Sequence, residues 1–410
     1  MAMTYIKSDR RNTDMDKSEI REKALALHAE NKGKLETVGK IPLESSDDLS
    51  LAYTPGVAEP CRGIAKDKSL AYKYTFKGNM CAVISDGSAV LGLGNIGGIA
   101  GLPVMEGKAL LFKRFGGVDC FPICLATQDT EEIIKTCINI APSFGGINLE
   151  DISAPRCFEI ERRLKEALDI PVFHDDQHGT AVVVSAALIN ACRLTGKKIN
   201  ELKIVVNGAG AAGTAISKML LNLGVNDLFL VDSSGIICKE RQENMNWAKK
   251  EMAELSNHEG RCGMLEDALA GSNVFIGVSK ADILTGEMVK TMAFSPIVFA
   301  MANPNPEIRP EIARMVGAAV VGTGRSDYPN QINNLLAFPG IFRGAFDVRA
   351  SDITENMKLA AAHALAELVS VSELAEDYVL PSPLDERVCP AVAKAVADAA
   401  VRDGVARIKP

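Results

Sequence analysis

The sequence predicts an α/β protein whose second half is a Rossmann-type, doubly wound unit. Three observations point there. From Met80 onward, short apolar runs alternate with amphipathic segments, the texture of parallel strands covered by helices on both faces. A glycine-rich turn, Gly208-Ala-Gly210-Ala-Ala-Gly213, joins the apolar run KIVVN to a helical segment. With 410 residues, 47% of them hydrophobic and 24% charged, the chain is ordinary globular material, enough for two to three domains.

The elements follow in order. Residues 1–16 read as a polar tail. A helix follows, with Ile20, Ala24, Leu25 and His28 on one face and Asp16 or Ser18 as N-cap. Residues 33–80 read as irregular, punctuated by Pro42, Pro55, Gly56 and Pro60. CAVIS is then a buried strand, 109–114 helix, 120–126 strand, 133–141 helix and 146–152 a strand ending in acids. Residues 157–168 are helix, 171–173 a short strand, and 179–194 a long helix of small residues. In the second half 204–207, 228–231, 274–277, 296–300 and 318–322 are strand candidates, with helices at 211–223 and 390–405. The domain boundary is expected near 178–200, dividing 17–180 from 181–410.

Charge and cysteine usage exclude several classes. The formal net charge is −7, from 45 basic and 52 acidic residues. Nucleic acid or an anionic membrane surface would call for a basic patch instead. No apolar run approaches the roughly 20 residues of a membrane span. The opening MAMTYIKSDRRNTDMDKSE has no apolar signal core, and a cytoplasmic location is expected. Ten cysteines lie scattered, with no C-x-x-C, so free buried thiols are expected rather than a disulfide framework or a zinc ribbon.

The pattern G-x-G-x-x-G occurs twice, and context separates the copies. After Gly208 the next strand, DLFLVD, ends at Asp232, 24 residues on. In a dinucleotide site the first glycine makes the turn, the second admits the pyrophosphate and the third lets helix and strand pack closely. Ala211 and Ala212 open the helix whose N-terminus offers free N–H donors. Asp232 is placed to accept from the ribose diol, which favours NAD over NADP. Ser233-Ser234-Gly235 add no cation there, though Lys239 and Arg241 could swing in. The other copy, Gly92-Leu-Gly94-Asn-Ile-Gly97, lacks an acid-terminated strand and is followed by a helix interrupted at Pro103. It reads as a flexible loop that lets backbone approach something.

Two strand-like segments end in acids: Glu150-Asp151 and His174-Asp175-Asp176-Gln177-His178. At one sheet edge these carboxylates would suit Mg²⁺ or Mn²⁺ better than zinc. They also suit solvated acids at helix starts, and the residues alone leave both readings open. The pair His174 and His178 is more often structural than ligating.

Taken together, YTPGV from Tyr53, SDGSAVLGLGNIGGIAGLPVMEGK ending at Lys108, NLEDI, FHDDQHGTA, NGAGAAG, FAMANPNPE, NQINNLLAFPG and PSPLDERVCPAVAKAVADAA resemble the malic enzymes, in that family's order along nearly the whole chain. The form of the VMEGKALLFKRFGG segment resembles the small-subunit bacterial type. The resemblance implies a substrate- and metal-binding α/β domain followed by the Rossmann-type dinucleotide domain and C-terminal helices. It implies oxidation of L-malate with NAD(P)⁺ and Mg²⁺ or Mn²⁺, then decarboxylation to pyruvate and CO₂. Lys108 matches the general base, Tyr53 the general acid and Asp175 an acid near the lysine. Glu150, Asp151 and Asp176 match the metal ligands. Asn303 matches a residue at the cofactor–substrate junction and Asn334 one that contacts substrate. As a base, Lys108 needs a pKa lowered by burial or by the cation.

Two departures stand out. Larger members carry an arginine that grips the substrate carboxylate where this chain has Ala89, so another cation is expected to replace it. Asn95 stands where Asp is common. A malolactic conversion of malate to lactate with bound NAD, or a dehydrogenase for another 2-hydroxy acid, uses the same residues. A homodimer or homotetramer is the default for such an enzyme, and in small members Tyr53 is expected to be supplied across a dimer interface.

Overall fold

The computed structural model describes residues 17–90 and 92–409; the expected polar tail and the Asp16 cap lie outside them. Two compact units divide at Lys40. In the first, α1 (Lys17–Asn31) is a single helix with a Lys23–Glu19 ion pair at 2.6 Å. Its apolar residues stay exposed, Leu25 at 65% and Leu27 at 52%.

The second unit opens with segments expected to be irregular that fold as short helices. α2 (Ser46–Ala52) starts on a capping box, Ser45 accepting from the Asp48 amide and Asp48 from the Ser45 amide. α3 (Ala58–Lys66) takes Pro60 in its first turn, where the missing N–H costs no helical bond. α4 (Ala71–Tyr74) is a single turn. No residue from 41 to 79 is buried.

The first sheet follows: β1 (Met80–Ser85), α5 (Gly98–Gly116), β2 (Asp119–Cys124), α6 (Thr130–Ile140), β3 (Gly146–Leu149), α7 (Arg156–Ala167) and β4 (Val172–His174). Its order is β2-β1-β3-β4, all parallel. β1 and β3 are buried on both faces, hence their unbroken apolar sequence. Pro103 does not interrupt α5 as expected; the helix runs through it. A proline this near an N-terminus removes only one backbone bond.

α8 (Asp175–Thr195) then carries the chain to the second sheet. Every residue from 181 to 192 is buried, so the helix is apolar all round, and small Ala and Val side chains suit that crowding. It begins four residues earlier than its apolar pattern suggested, because Asp175 and Asp176 occupy its first turn.

The second sheet holds β5 (Lys203–Asn207), α9 (Ala211–Asn222), β6 (Asp227–Asp232), β7 (Gly235–Ile236), α10 (Trp247–Leu255), α11 (Leu265–Leu269), β8 (Val274–Gly277), α12 (Gly286–Lys290), β9 (Ile297–Ala300), α13 (Pro310–Met315) and β10 (Val320–Thr323). The order β10-β9-β8-β5-β6-β7 is the doubly wound arrangement, with only β7 antiparallel. α14 (Phe338–Asp347), α15 (Glu355–Glu367) and α16 (Val388–Arg402) close the chain. The core is continuous between the sheets: Phe112 of α5 meets Phe338 and Phe342 of α14 at 4.5 and 5.1 Å between ring centres. Truncating so buried a phenylalanine to Ala costs about 3–5 kcal/mol. Among the described residues no helix is long and apolar enough to cross a membrane.

Candidate active site

In an open parallel sheet, ligands sit beyond the carboxyl ends of the strands where the winding reverses. In the first sheet that point lies between β1 and β3. Glu150 leaves β3 with its amide donating to the Ile84 carbonyl at 2.9 Å. Asp151 follows with φ +54, a left-handed backbone that Asp tolerates better than most residues. Its amide donates to Asp176 Oδ2 at 2.7 Å. Asp175 and Asp176 stand in the first turn of α8, where the helix dipole favours carboxylates.

Lys108 reaches into this edge from α5. It is 7% exposed. Its Nζ donates to Asp175 Oδ2 at 2.5 Å and lies 2.8 Å from Glu150 Oε1. The Phe338 ring centre is 4.3 Å from the ammonium. Asn334 donates from the other side to the same Asp175 oxygen at 2.6 Å. Gly179, one helical turn on, leaves the room this needs: a Cβ there would stand 1.9 Å from Asp175 Oδ1.

The electrostatics invert the expectation for the lysine. Burial alone would lower its pKa, but Asp175, Glu150 and Asp176 outweigh it and raise it, holding the ammonium charged. The carboxyls are pushed upward, first by burial: Glu150 to about 7, Asp175 to about 7 and Asp176 to about 6. The pocket thus holds more buried carboxylate than its own cation balances.

Chemically, Glu150, Asp151 and Asp176 suit a hard divalent cation: all are oxygen donors, with no thiolate beside them. Asp175 Oδ1 is buried with no hydrogen-bond partner, a further site of unbalanced negative charge. The three carboxylates are not drawn within 4.8 Å of one another; among the described residues only Cys238, Glu240 and Cys262 meet that spacing. Glu150 is turned to Lys108 and to Asn148, whose Nδ2 donates to it at 2.8 Å. The two histidines lie on the inner side of this set, with His174 Nε2 3.9 Å from Asp176 Oδ2. His178 bonds Glu161 at 2.9 Å and Lys358 at 3.1 Å. His174 is fully buried, and burial lowers its pKa to about 4.

In the second sheet the reversal lies between β5 and β8, and the loops after them meet there. A Cβ on Gly208 (φ +121) would stand 2.6 Å from the Val278 carbonyl, and one on Gly213 1.7 Å from that of Gly208. A Cβ on Gly210 would meet nothing within 4 Å. So the outer two glycines permit packing, while the middle one faces open space at the N-terminus of α9. Gly210 caps that helix with no side-chain bond, and Ala211 and Ala212 begin it.

Asp232 is not the bare carboxylate its sequence neighbours suggested. Arg241 Nη2 and Lys249 Nζ each donate to its Oδ2 at 2.7 Å, and Ser234 N to its Oδ1 at 2.8 Å. Burial would raise its pKa, yet these bonds hold it below the ordinary carboxylate range. Lys249 was missed because it arrives from α10, 17 residues downstream.

Asn303 stands beyond β9, and the first glycine loop lies against it. A Cβ on Gly92 would be 3.8 Å from the Asn303 carbonyl and 4.0 Å from Pro304; the backbone that this loop approaches is therefore the Asn303–Pro304 turn. Asn95 exchanges both amide bonds with Gln128, at 3.0 and 2.8 Å; an Asp there would lose one donor. Ala89 donates its N–H to the Asp151 carbonyl at 2.9 Å. The neighbouring Arg156 holds Asp86 at 2.9 Å and Ser88 at 3.0 Å, so its charge is already engaged. Tyr53 ends α2 and is 67% exposed; the bonds that join Lys108, Glu150, Asp175 and Asn334 do not include it.

The cysteines depart from expectation. Cys238 and Cys262 form a disulfide, while the other eight are free. The pair is 24 residues apart and joins because Ile236 of β7 donates to the Gly263 carbonyl at 2.8 Å, setting the two segments side by side.

Comparison with known proteins agrees with this architecture. Residues 32–131 and 126–165 match the family model for the malic enzyme N-terminal domain, and residues 177–401 that for the malic enzyme NAD-binding domain. A bifunctional malic/malolactic enzyme of Bacillus subtilis is 60% identical over 389 residues, 95% of each chain. An NAD-dependent malic enzyme of Geobacillus stearothermophilus is 60% identical over 376 residues, 92% of this chain and 78% of that one. The crystal structure of a malic enzyme from Pyrococcus horikoshii superposes with a TM-score of 0.92 at 51% identity, covering 95% of this chain and 93% of that one.

Proposed function

The chain belongs to the malic enzyme family, and on that premise we propose that it converts L-malate and NAD(P)⁺ to pyruvate, CO₂ and NAD(P)H. The observation that carries the reading is the convergence of Lys108 and Asn334 on one buried carboxylate oxygen of Asp175, beside the acids that close β3.

The reading assigns residues 17–180 to substrate and metal and 181–410 to the dinucleotide. Glu150, Asp151 and Asp176 would hold Mg²⁺ or Mn²⁺. When bound, a divalent cation would supply Lewis-acid stabilisation of the oxygen charge that develops on the substrate, and a dinucleotide would supply the hydride acceptor. Lys108 takes the proton of the C2 hydroxyl. The carboxylates hold the amine protonated, so it acts as base only with the added positive charge of a bound divalent cation, which would lower its pKa; Asp175 at 2.5 Å fixes the amine's position. Asn334 orients Asp175 and faces substrate. Tyr53 protonates the enolpyruvate carbon once CO₂ has left.

Tyr53 serves this role from a second copy of the chain, giving a homodimer. Support comes from residues 41–79, none of which is buried, and from the exposure of Leu49 (57%), Leu51 (76%) and Tyr53 (67%) on one short stretch. So large an exposed apolar run marks a contact surface. Gly208, Gly210 and Gly213 cradle the pyrophosphate, Asn303 lies toward the nicotinamide, and Asp232 receives the adenosine ribose. NAD is favoured, with NADP accepted because Arg241 and Lys249 offset the carboxylate charge. A cytoplasmic location fits eight free thiols.

The test is a malate assay with Mn²⁺, following reduced dinucleotide and product. Reduced cofactor with equimolar pyruvate is expected. Lactate without net reduction would transfer the chain to the malolactic reading, which the name of the Bacillus subtilis relative makes the one alternative worth assaying.

A further inference from the structure

The Cys238–Cys262 pair lies outside everything the proposed reaction uses, yet it is tied to the residues that hold Asp232. Cys238 is 2% exposed and Cys262 is exposed. The Cys238 carbonyl accepts from the Arg241 amide at 3.2 Å. Arg241 in turn donates to the Gly235 carbonyl at 2.9 Å and to Asp232 at 2.7 Å. On the other side, Cys262 adjoins Gly263, whose carbonyl accepts from Ile236 at 2.8 Å. The bond therefore staples the turn that presents Arg241 to the segment running into α11. Glu240 Oε2 lies 3.8 Å from Cys262 Sγ, a negative neighbour that disfavours the thiolate once the bond is open.

We propose that Cys238 and Cys262 form a reversible redox site, with the disulfide holding the Arg241–Asp232–Lys249 cluster in register for the dinucleotide. The inference rests on the reading of Asp232 as the adenosine-ribose residue. The sulfur open to attack is Cys262. A thiolate of a small dithiol attacks Cys262 Sγ, the S–S bond breaks, and its electron pair leaves on Cys238 Sγ, which takes a proton. The reductant's second thiolate then attacks its own sulfur in the mixed disulfide, freeing Cys262 as a thiol. Two electrons and two protons reach the protein, and the reductant leaves as its disulfide. Glutathione disulfide runs the exchange backward.

Two measurements on the full chain test this. The first counts titratable thiols in denaturant, for protein isolated without reductant, after a phosphine reductant and after glutathione disulfide. Eight, ten and eight are expected, matching eight free cysteines of ten in all. The second compares KM for NAD⁺ and NADP⁺ in the two redox states. Reduction should raise at least one dinucleotide KM by about fivefold, with kcat and the KM for malate unchanged. Cys262→Ser, at an exposed position, should show the reduced-state KM whether or not reductant is present.

Ten thiols in every state would overturn the proposal. So would two masked thiols released by a chelator along with zinc, which would make Cys238, Glu240 and Cys262 a metal site. A bond that forms and breaks without moving either KM would remove the coupling. In that case Asp232→Ala separates the causes: if it moves the dinucleotide KM, only the switch has failed, and if it does not, the ribose reading has failed too.

Discussion

Asp175 and Lys108 share a 2.5 Å contact inside a pocket where Asp175 is fully buried and Lys108 nearly so. The pairing explains why burial does not strip the lysine of its charge, and Asn334 donates to the same oxygen at 2.6 Å. Asp175→Asn keeps the shape but removes the charge that holds the amine in place. Malate-dependent dinucleotide reduction should fall by about 10²-fold in kcat/KM, while NADH binding by fluorescence stays within twofold of the parent. A loss under about threefold would mean that Asp175 only packs.

The glycine loop makes a paired prediction. Gly213→Ala places a methyl against the Gly208 carbonyl, where the Cβ spacing would be 1.7 Å. It should cost about 1–3 kcal/mol of stability and show in the Tm. Gly210→Ala meets nothing within 4 Å, so the Tm should hold while the dinucleotide Kd rises about tenfold. Equal effects on Tm would contradict the division of roles.

Lys249 and Arg241 together outweigh the charge of Asp232. Removing Lys249 takes the cluster from one net positive charge to none where a 2′-phosphate would lie. Lys249→Ala should lower kcat/KM for NADP⁺ by about tenfold and that for NAD⁺ by less. Steady-state kinetics with both dinucleotides decide this, and a larger loss with NAD⁺ would reverse the assignment.

Behind the site, Glu161 accepts from the His174 amide at 3.1 Å and bonds His178 at 2.9 Å. Burial would raise its pKa, but His178 and Lys358 bring it down to about 2, from an ordinary 4.5. A depressed carboxyl contributes stability that is full above its unfolded value and is lost as pH falls through the folded one. The window is therefore about pH 4.5 down to 2. Burial lowers the His178 pKa, so at pH 7 the imidazole is a neutral donor to Glu161, and Glu161→Gln should cost about 1–3 kcal/mol. In denaturant titrations across that window it should also flatten the parent's decline. An unchanged slope would place the acid sensitivity elsewhere.

Much of this was legible in the sequence, for reasons that differ by residue. The inner strands of both sheets are buried on both faces, so their apolar runs stood out, while β2 at the edge of the first sheet is only half-buried. Gly208, Gly210 and Gly213 are readable because one short turn carries three separate steric demands. Lys249, Glu161 and the Cys238–Cys262 bond were not legible. Each depends on a partner brought near by a strand or helix packing far along the chain, and no local spacing encodes it. The raised pKa of Lys108 escaped for the same reason: burial was foreseeable, but the number of carboxylates packed against the amine was not. The short helices of residues 41–79 escaped because none exceeds nine residues, too few for an apolar period to show, and only α2 carries a side-chain capping box.

The measurement that bears most directly on the central claim is subunit complementation. Tyr53→Phe and Lys108→Ala proteins, each inactive alone, are mixed under conditions that exchange subunits, and malate-dependent reduction with pyruvate release is followed. If Lys108 and Tyr53 act on one malate from two chains, each mixed dimer holds one intact site, and activity should return to about a quarter of the parent value. Mixed dimers demonstrated by mass spectrometry that remain inactive would contradict the shared site and return Tyr53 to its own chain.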